Sequence, residues 1–184
     1  MLSRISDRFH TWAKGWLILS IIAAFVLLVN LPLADLALVS TSLDGRFAYT
    51  PDQAFSAVAS YGDAGRVQMI WIHLGDFILI TLYTSMFGLS ISWLFQRGFK
   101  LDSRMQKLNL VPVLGGFFDV LENIWIMTMI LVYPAQPTVV AWLSTISTMG
   151  KYILGIPIVL LLLIGLVKAA MNRFKVQKTV TIGS

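Results

Sequence analysis

Five side chains able to hold or pass a proton lie inside stretches otherwise built from Leu, Ile, Val, Phe and Met: His73, Asp76, Asp119, Glu122 and Lys151. A charge at the centre of a hydrocarbon layer costs at least ~2.5–3.5 kcal/mol on insertion scales, so such groups persist where they face a protein interior and find partners. Three carboxylates set against one ammonium cannot all stay ionised in a low-dielectric site without a counter-ion. The sequence therefore predicts a coupled set of acids, with Lys151 paired to one carboxylate and at least one other held neutral. A neutral carboxyl is what a proton relay or a general acid requires. It is also what an inert hydrogen-bond network contains.

Spacing places these residues on common faces. Asp119, Glu122 and Asn123 stand at i, i+3 and i+4, and Ser144, Ser147, Thr148 and Lys151 follow i, i+3, i+4 and i+7. His73 and Asp76 share a third face, with Tyr83 two turns further on. Helical rise puts Asp76 about 12 Å below Gln68, Glu122 about 16 Å below Tyr133 and Lys151 about 20 Å below Thr138. Three helices of alternating direction thus bring their ionisable groups to similar levels. The candidate binding pocket is Asp76, Asp119, Glu122, Asn123, Thr148 and Lys151, with Asn30, His73, Tyr83, Ser144 and Ser147 around it. His73-x-x-Asp76 and Asp119-x-x-Glu122 together offer one imidazole and three carboxylates to a metal. The paired Glu-x-x-His elements of di-iron bundles are absent and Lys151 already occupies much of the negative charge, so no metal is expected.

The elements that must position these residues are long and apolar. Gly15 to Ala34 carries no charge, and Val67–Gln96, Val111–Tyr133 and Thr138–Val167 are broken only by the residues named above. About 20 such residues cross a hydrocarbon core of about 30 Å. With 57% hydrophobic residues and a mean hydropathy of +0.78, a single all-α membrane domain is expected, a polytopic up-down-up-down four-helix bundle. Its spans are placed at roughly 14–32, 67–95, 110–133 and 138–168. A cleaved signal peptide fits less well, because the first apolar run is long and Ala34-Asp35-Leu36-Ala37 is a poor cleavage site. The absence of cysteine removes disulfides and thiol chemistry.

The net charge of +5 resides in three patches: Arg4, Arg8 and Lys14; Arg97, Lys100, Arg104 and Lys107; and Lys168, Arg173, Lys175 and Lys178. The long loop at 33–66 carries only Arg46 and Arg66 against Asp35, Asp44, Asp52 and Asp63. That alternation is the positive-inside pattern of an inner-membrane protein with both termini cytoplasmic, and it argues for contact with the bilayer and against nucleic acid. Within the outer loop, Thr50 and Gln53 form a capping box and Pro51 takes the first helical position, predicting a short helix over about 51–61. That helix either packs on the bundle mouth or forms a lid over a site opening outward.

The combination Tyr49-x-Pro51, Gly65-Arg66, Asp76, Asp119-x-x-Glu122-Asn123 and Thr148-x-x-Lys151 resembles small four-helix bacterial membrane proteins that are uncharacterised. The resemblance covers most of the chain and implies no activity or cofactor. Three functions stay open: binding of a proton, cation or small amphiphilic ligand, with a role in transport; intramembrane carboxylate acid–base catalysis on a lipid-soluble substrate; and a polar network that locks helix register. A homo-oligomer is compatible with each.

Overall fold

The computed structural model describes residues 2–30, 42–43 and 45–182, with side chains described as far as Phe174. The outer end of the first expected span and the start of the outer loop, 31–41, lie outside the described residues. Among those described the chain is all-helical: α1 (Leu2–Trp12), α2 (Gly15–Val29), α3 (Pro51–Ser60), α4 (Gly62–Gly98), a 3-10 segment (Arg104–Leu110), α5 (Val111–Leu131) and α6 (Thr138–Ile182). Three helical stretches are long and apolar enough to cross a membrane: Gly62–Gly98, Arg104–Leu131 and Thr138–Phe174. A fourth arises if α1 and α2, bent by 100° at their junction, are counted as one broken span.

The packing is less symmetrical than a four-helix square. α4, α5 and α6 pack on one another, whereas α2 leans on α4 and buries only Ile18. Close approach in the three-helix core is bought by glycine. Gly116 faces the Thr84 side chain of α4, Gly115 faces Ile158 of α6, and a Cβ on Gly150 would stand 2.6 Å from the Phe118 ring. The adjacent glycines of α5 thus serve two neighbours.

α3 begins on the capping box: the Thr50 hydroxyl accepts from the Gln53 N–H at 3.3 Å, and the Gln53 side chain accepts from the Thr50 N–H at 2.9 Å. Its buried residues Ala54, Phe55, Ala57 and Val58, with Tyr61, join Leu43, Tyr49, Met69, Ile126, Met129, Ile130 and Ala141 in one apolar cluster. The chain then turns at Gly62, whose φ of +64° suits a residue without Cβ, and enters α4. The end of the bundle nearest this loop is thereby filled by side chains.

α1 is an element that the basic flank did not announce. Leu2, Ile5, Phe9 and Trp12 form a helical stripe, and the helix lies against α4 and the 3-10 segment. Phe9 packs on Gly88, where a Cβ would approach its ring to 2.7 Å. Ser6 donates to Asn109 at 2.8 Å, Asn109 donates to Ser92 at 2.8 Å, and Gln96 donates to the His10 carbonyl at 2.8 Å. His10 Nε2 lies 3.1 Å from the Gln106 carbonyl and Nδ1 lies 3.2 Å from Gln96 Nε2. His10 is a structural contact of this second polar cluster.

Overpacking tests the arrangement. Gly88→Val should lower stability by about 1–3 kcal/mol, the usual cost of forcing a side chain into filled space, and should detach α1. Thermal unfolding together with faster tryptic cleavage after Lys14 checks both effects.

Candidate functional site

Each helix of the core delivers its polar face to one level. From α6, Lys151 Nζ lies 3.0 Å from Asp119 Oδ1 and 2.5 Å from Glu122 Oε2, so one ammonium bridges two acids a single turn apart on α5. From α4, the Tyr83 hydroxyl donates to Asp119 Oδ2 at 2.6 Å. Asn123 Nδ2 donates to Asp76 Oδ2 at 2.7 Å, and its carbonyl oxygen stands 3.0 Å from His73 Nδ1, which serves as donor. Glu122, Asn123, Thr148 and Ser144 are fully buried; Asp119 and Lys151 keep side-chain exposures of 10% and 16%.

The loop that precedes α3 completes the site. Thr148 donates to Glu122 Oε1 at 2.6 Å, with the Ser144 carbonyl 3.0 Å away as an alternative acceptor for the same proton. The Tyr49 hydroxyl shares a 2.6 Å hydrogen bond with Ser144 Oγ and lies 3.4 Å from Thr148 Oγ1. Tyr49 is pinned by its backbone as well: its N–H donates to Thr145 Oγ1 at 3.2 Å and its carbonyl accepts from the same hydroxyl at 2.7 Å. A chain of exchangeable groups therefore runs from Tyr83 through Asp119, Lys151, Glu122 and Thr148 to Ser144 and Tyr49. Every link is a hydrogen bond or ion pair.

Of the sequence candidates, Asp76, Asp119, Glu122, Asn123, Thr148 and Lys151 are brought together, and His73, Tyr83 and Ser144 contact them. Two are not. Asn30 folds back on α2, donating to the Val26 carbonyl at 2.7 Å from an exposed position. Ser147, although buried, donates to its own helix at the Leu143 carbonyl, 2.8 Å away. Tyr49 and Thr145 were missed as site residues: Tyr49 sits in a loop where no periodicity assigns it a face, and Thr145 flanks the polar stripe. Arg66 pairs with Asp63 and stacks 4.1 Å over the Tyr133 ring at the rim of the bundle. Among the described residues no three His, Asp or Glu side chains converge as metal ligands.

Burial sets the state of the loop phenols. It pushes Tyr49 above the usual tyrosine range, the bonds from Ser144 and Thr148 acting in the opposite sense. It pushes Tyr61 up to about 12, partly offset by Arg46.

Both shifts favour the neutral phenol in the folded state. The stability they contribute is fully present below the ordinary tyrosine pKa of about 10 and is lost as pH rises through the raised values. Near-ultraviolet circular dichroism should show the loop undocking as pH rises from about 10 towards the Tyr61 value of about 12, and Tyr49→Phe should alter that transition. At neutral pH, Lys151→Met should cost about 3–5 kcal/mol, the range found when one partner of a buried pair is removed. Thermal unfolding in nanodiscs reads it. No protein-family model, curated protein or solved structure matches the chain.

Proposed function

We propose that the chain is a four-span inner-membrane protein, up-down-up-down with both termini cytoplasmic, whose buried network binds a proton or a small cation. The apolar length of the helices and the basic patches at one end support the membrane reading. The observation that carries the binding reading is the hydrogen-bonded chain from Tyr83 to Tyr49, in which, among the described residues, Lys151 is the ammonium beside Asp119 and Glu122, with Asp76 joined through Asn123. Three acids around one fixed cation leave room for one or two more positive charges.

The geometry accommodates proton uptake without moving a helix. With Glu122 ionised, Thr148 donates to it. With Glu122 protonated, the carboxyl donates to Thr148 Oγ1, and Thr148 turns its own proton to the Ser144 carbonyl, already within 3.0 Å. Lys151 meanwhile keeps Asp119. Beyond the buried Thr84 hydroxyl, Leu89 and Ile91 are buried and Phe9 lies over Gly88 before the Ser92 cluster begins. This favours a dead-end binding site over a continuous conduction path.

Infrared difference spectroscopy on protein in phosphatidylcholine nanodiscs tests the proposal. A protonated-carboxyl band should change with pH, shift when sodium or potassium is added, and shrink in Glu122→Gln or Asp119→Asn. A spectrum flat in pH and salt, together with destabilisation of both variants by about 2 kcal/mol or more, would replace this proposal with the register-locking one. That second reading draws on the burial of Glu122, Asn123, Thr148 and Ser144, whose partners tie three helices together.

A further inference from the structure

α1 and α2 meet at an angle of 100°. α1 has 11 residues, about 16 Å of helix against a hydrocarbon core of about 30 Å, and is too short to cross. With α2 crossing the bilayer, α1 lies in the plane of its surface. The two sides of α1 differ. Ser6, Phe9 and His10 make the contacts with Asn109, Gly88 and Gln106. Arg4, Arg8 and Trp12, at i, i+4 and i+8, form an exposed strip on another side. Trp12 is 55% exposed, and Trp16, just past the bend, 66%. Among the described residues neither Arg4 nor Arg8 enters an ion pair. Folding brings further positive charge to the same end. Gln96, near the end of α4, donates to the His10 carbonyl, and Asn172 of α6 donates to the Arg97 and Gly98 carbonyls at 3.0 and 3.2 Å. Arg97, Lys100, Lys168 and Arg173 are therefore gathered at the end where α1 lies, and all four are exposed.

From this we infer that α1 is an in-plane anchor whose Arg4–Arg8–Trp12 strip docks on the headgroups of anionic phospholipids. The inference rests on the membrane reading above and adds a lipid preference to it. Charge and shape select this occupant together. A guanidinium matches a phosphate group bidentately, and a tryptophan ring settles at headgroup level. An anionic leaflet attracts basic segments that flank a span, with an energy of about 1 kcal/mol per Lys or Arg near the surface. A soluble acidic partner would meet the same arginines but gives Trp12 and Trp16 no reason to stand exposed beside them. A helix lying in the bilayer plane meets headgroups as soon as α2 is inserted. Anionic lipid should therefore hold α1 on the bundle more firmly than its contacts with α4 and the 3-10 segment do alone.

The test is amide hydrogen exchange of the full chain in nanodiscs of phosphatidylcholine alone and of phosphatidylcholine with phosphatidylglycerol in equal parts. Exchange across Leu2–Trp12 should be slower by about tenfold or more in the mixed discs. The gain should be lost in the double variant Arg4→Gln/Arg8→Gln, which should exchange like wild type in phosphatidylcholine alone. It should also be lost in about 1 M sodium chloride, where the Debye length is about 3 Å. Equal exchange in the two lipids, or a gain that survives in the variant or in salt, overturns the inference. Should the double variant fail to fold, the salt series on wild type decides alone. Alkaline carbonate extraction from vesicles of the mixed composition separates this inference from the reading beneath it. If the chain stays with the vesicles and α5 stays protected, a negative result falls on α1 alone. If carbonate releases the chain, the membrane reading falls as well.

Discussion

Lys151 holds two acidic side chains of the neighbouring helix at once. An ammonium placed 3.0 Å from Asp119 and 2.5 Å from Glu122 fixes α6 against α5 in both rotation and height, since a shift of one residue on either helix would turn the pair apart. The other polar contacts depend on that register. Tyr83 meets Asp119 where Asp119 is held, Thr148 meets Glu122 one turn above Lys151, and Tyr49 finds its two hydroxyl partners because they project from the same stripe. Buried pairs of this kind add little net stability over an apolar substitute of the same shape, but they are severe about geometry. The glycines do the complementary work by letting the helices come close enough for short side chains to reach.

How much of this was legible in the chain depends on what each residue had to signal. Long apolar runs announced the helices of the core, and the i, i+3, i+4 and i+7 spacings announced which sides of α5 and α6 hold the acids and Lys151. The capping box at Thr50 announced the start of α3 because it is a local hydrogen-bond pattern with a fixed spacing. Asn30 misled because depth along a helix says nothing about azimuth, and α2 stands at the edge of the core. Ser147 misled for the opposite reason: it has the right phase, but its short side chain is satisfied by its own helix.

Two features were hidden by their chemistry. Tyr49 reaches Ser144 and Thr148 across 95 and 99 residues, and its loop has no repeat from which a face could be read. α1 was masked by its charges: Arg4, Arg8 and Lys14 read as a topogenic flank, although Leu2, Ile5, Phe9 and Trp12 already spell a helical stripe. The two polar clusters are built on different principles. The one at α1 joins amides, hydroxyls and a histidine ring, and the one at Lys151 joins acidic side chains to an ammonium.

The bond between Ser6 and Asn109 spans 103 residues, and this has a consequence for biosynthesis. At elongation rates of roughly 5–20 residues per second, α1 waits on the order of 5–20 s before its partner in the 3-10 segment has been made. Through that interval its apolar stripe, and the Phe9 ring that will cover Gly88, have no place in the bundle. α1 is thus synthesised well before the partners that seat it, α4 and the 3-10 segment.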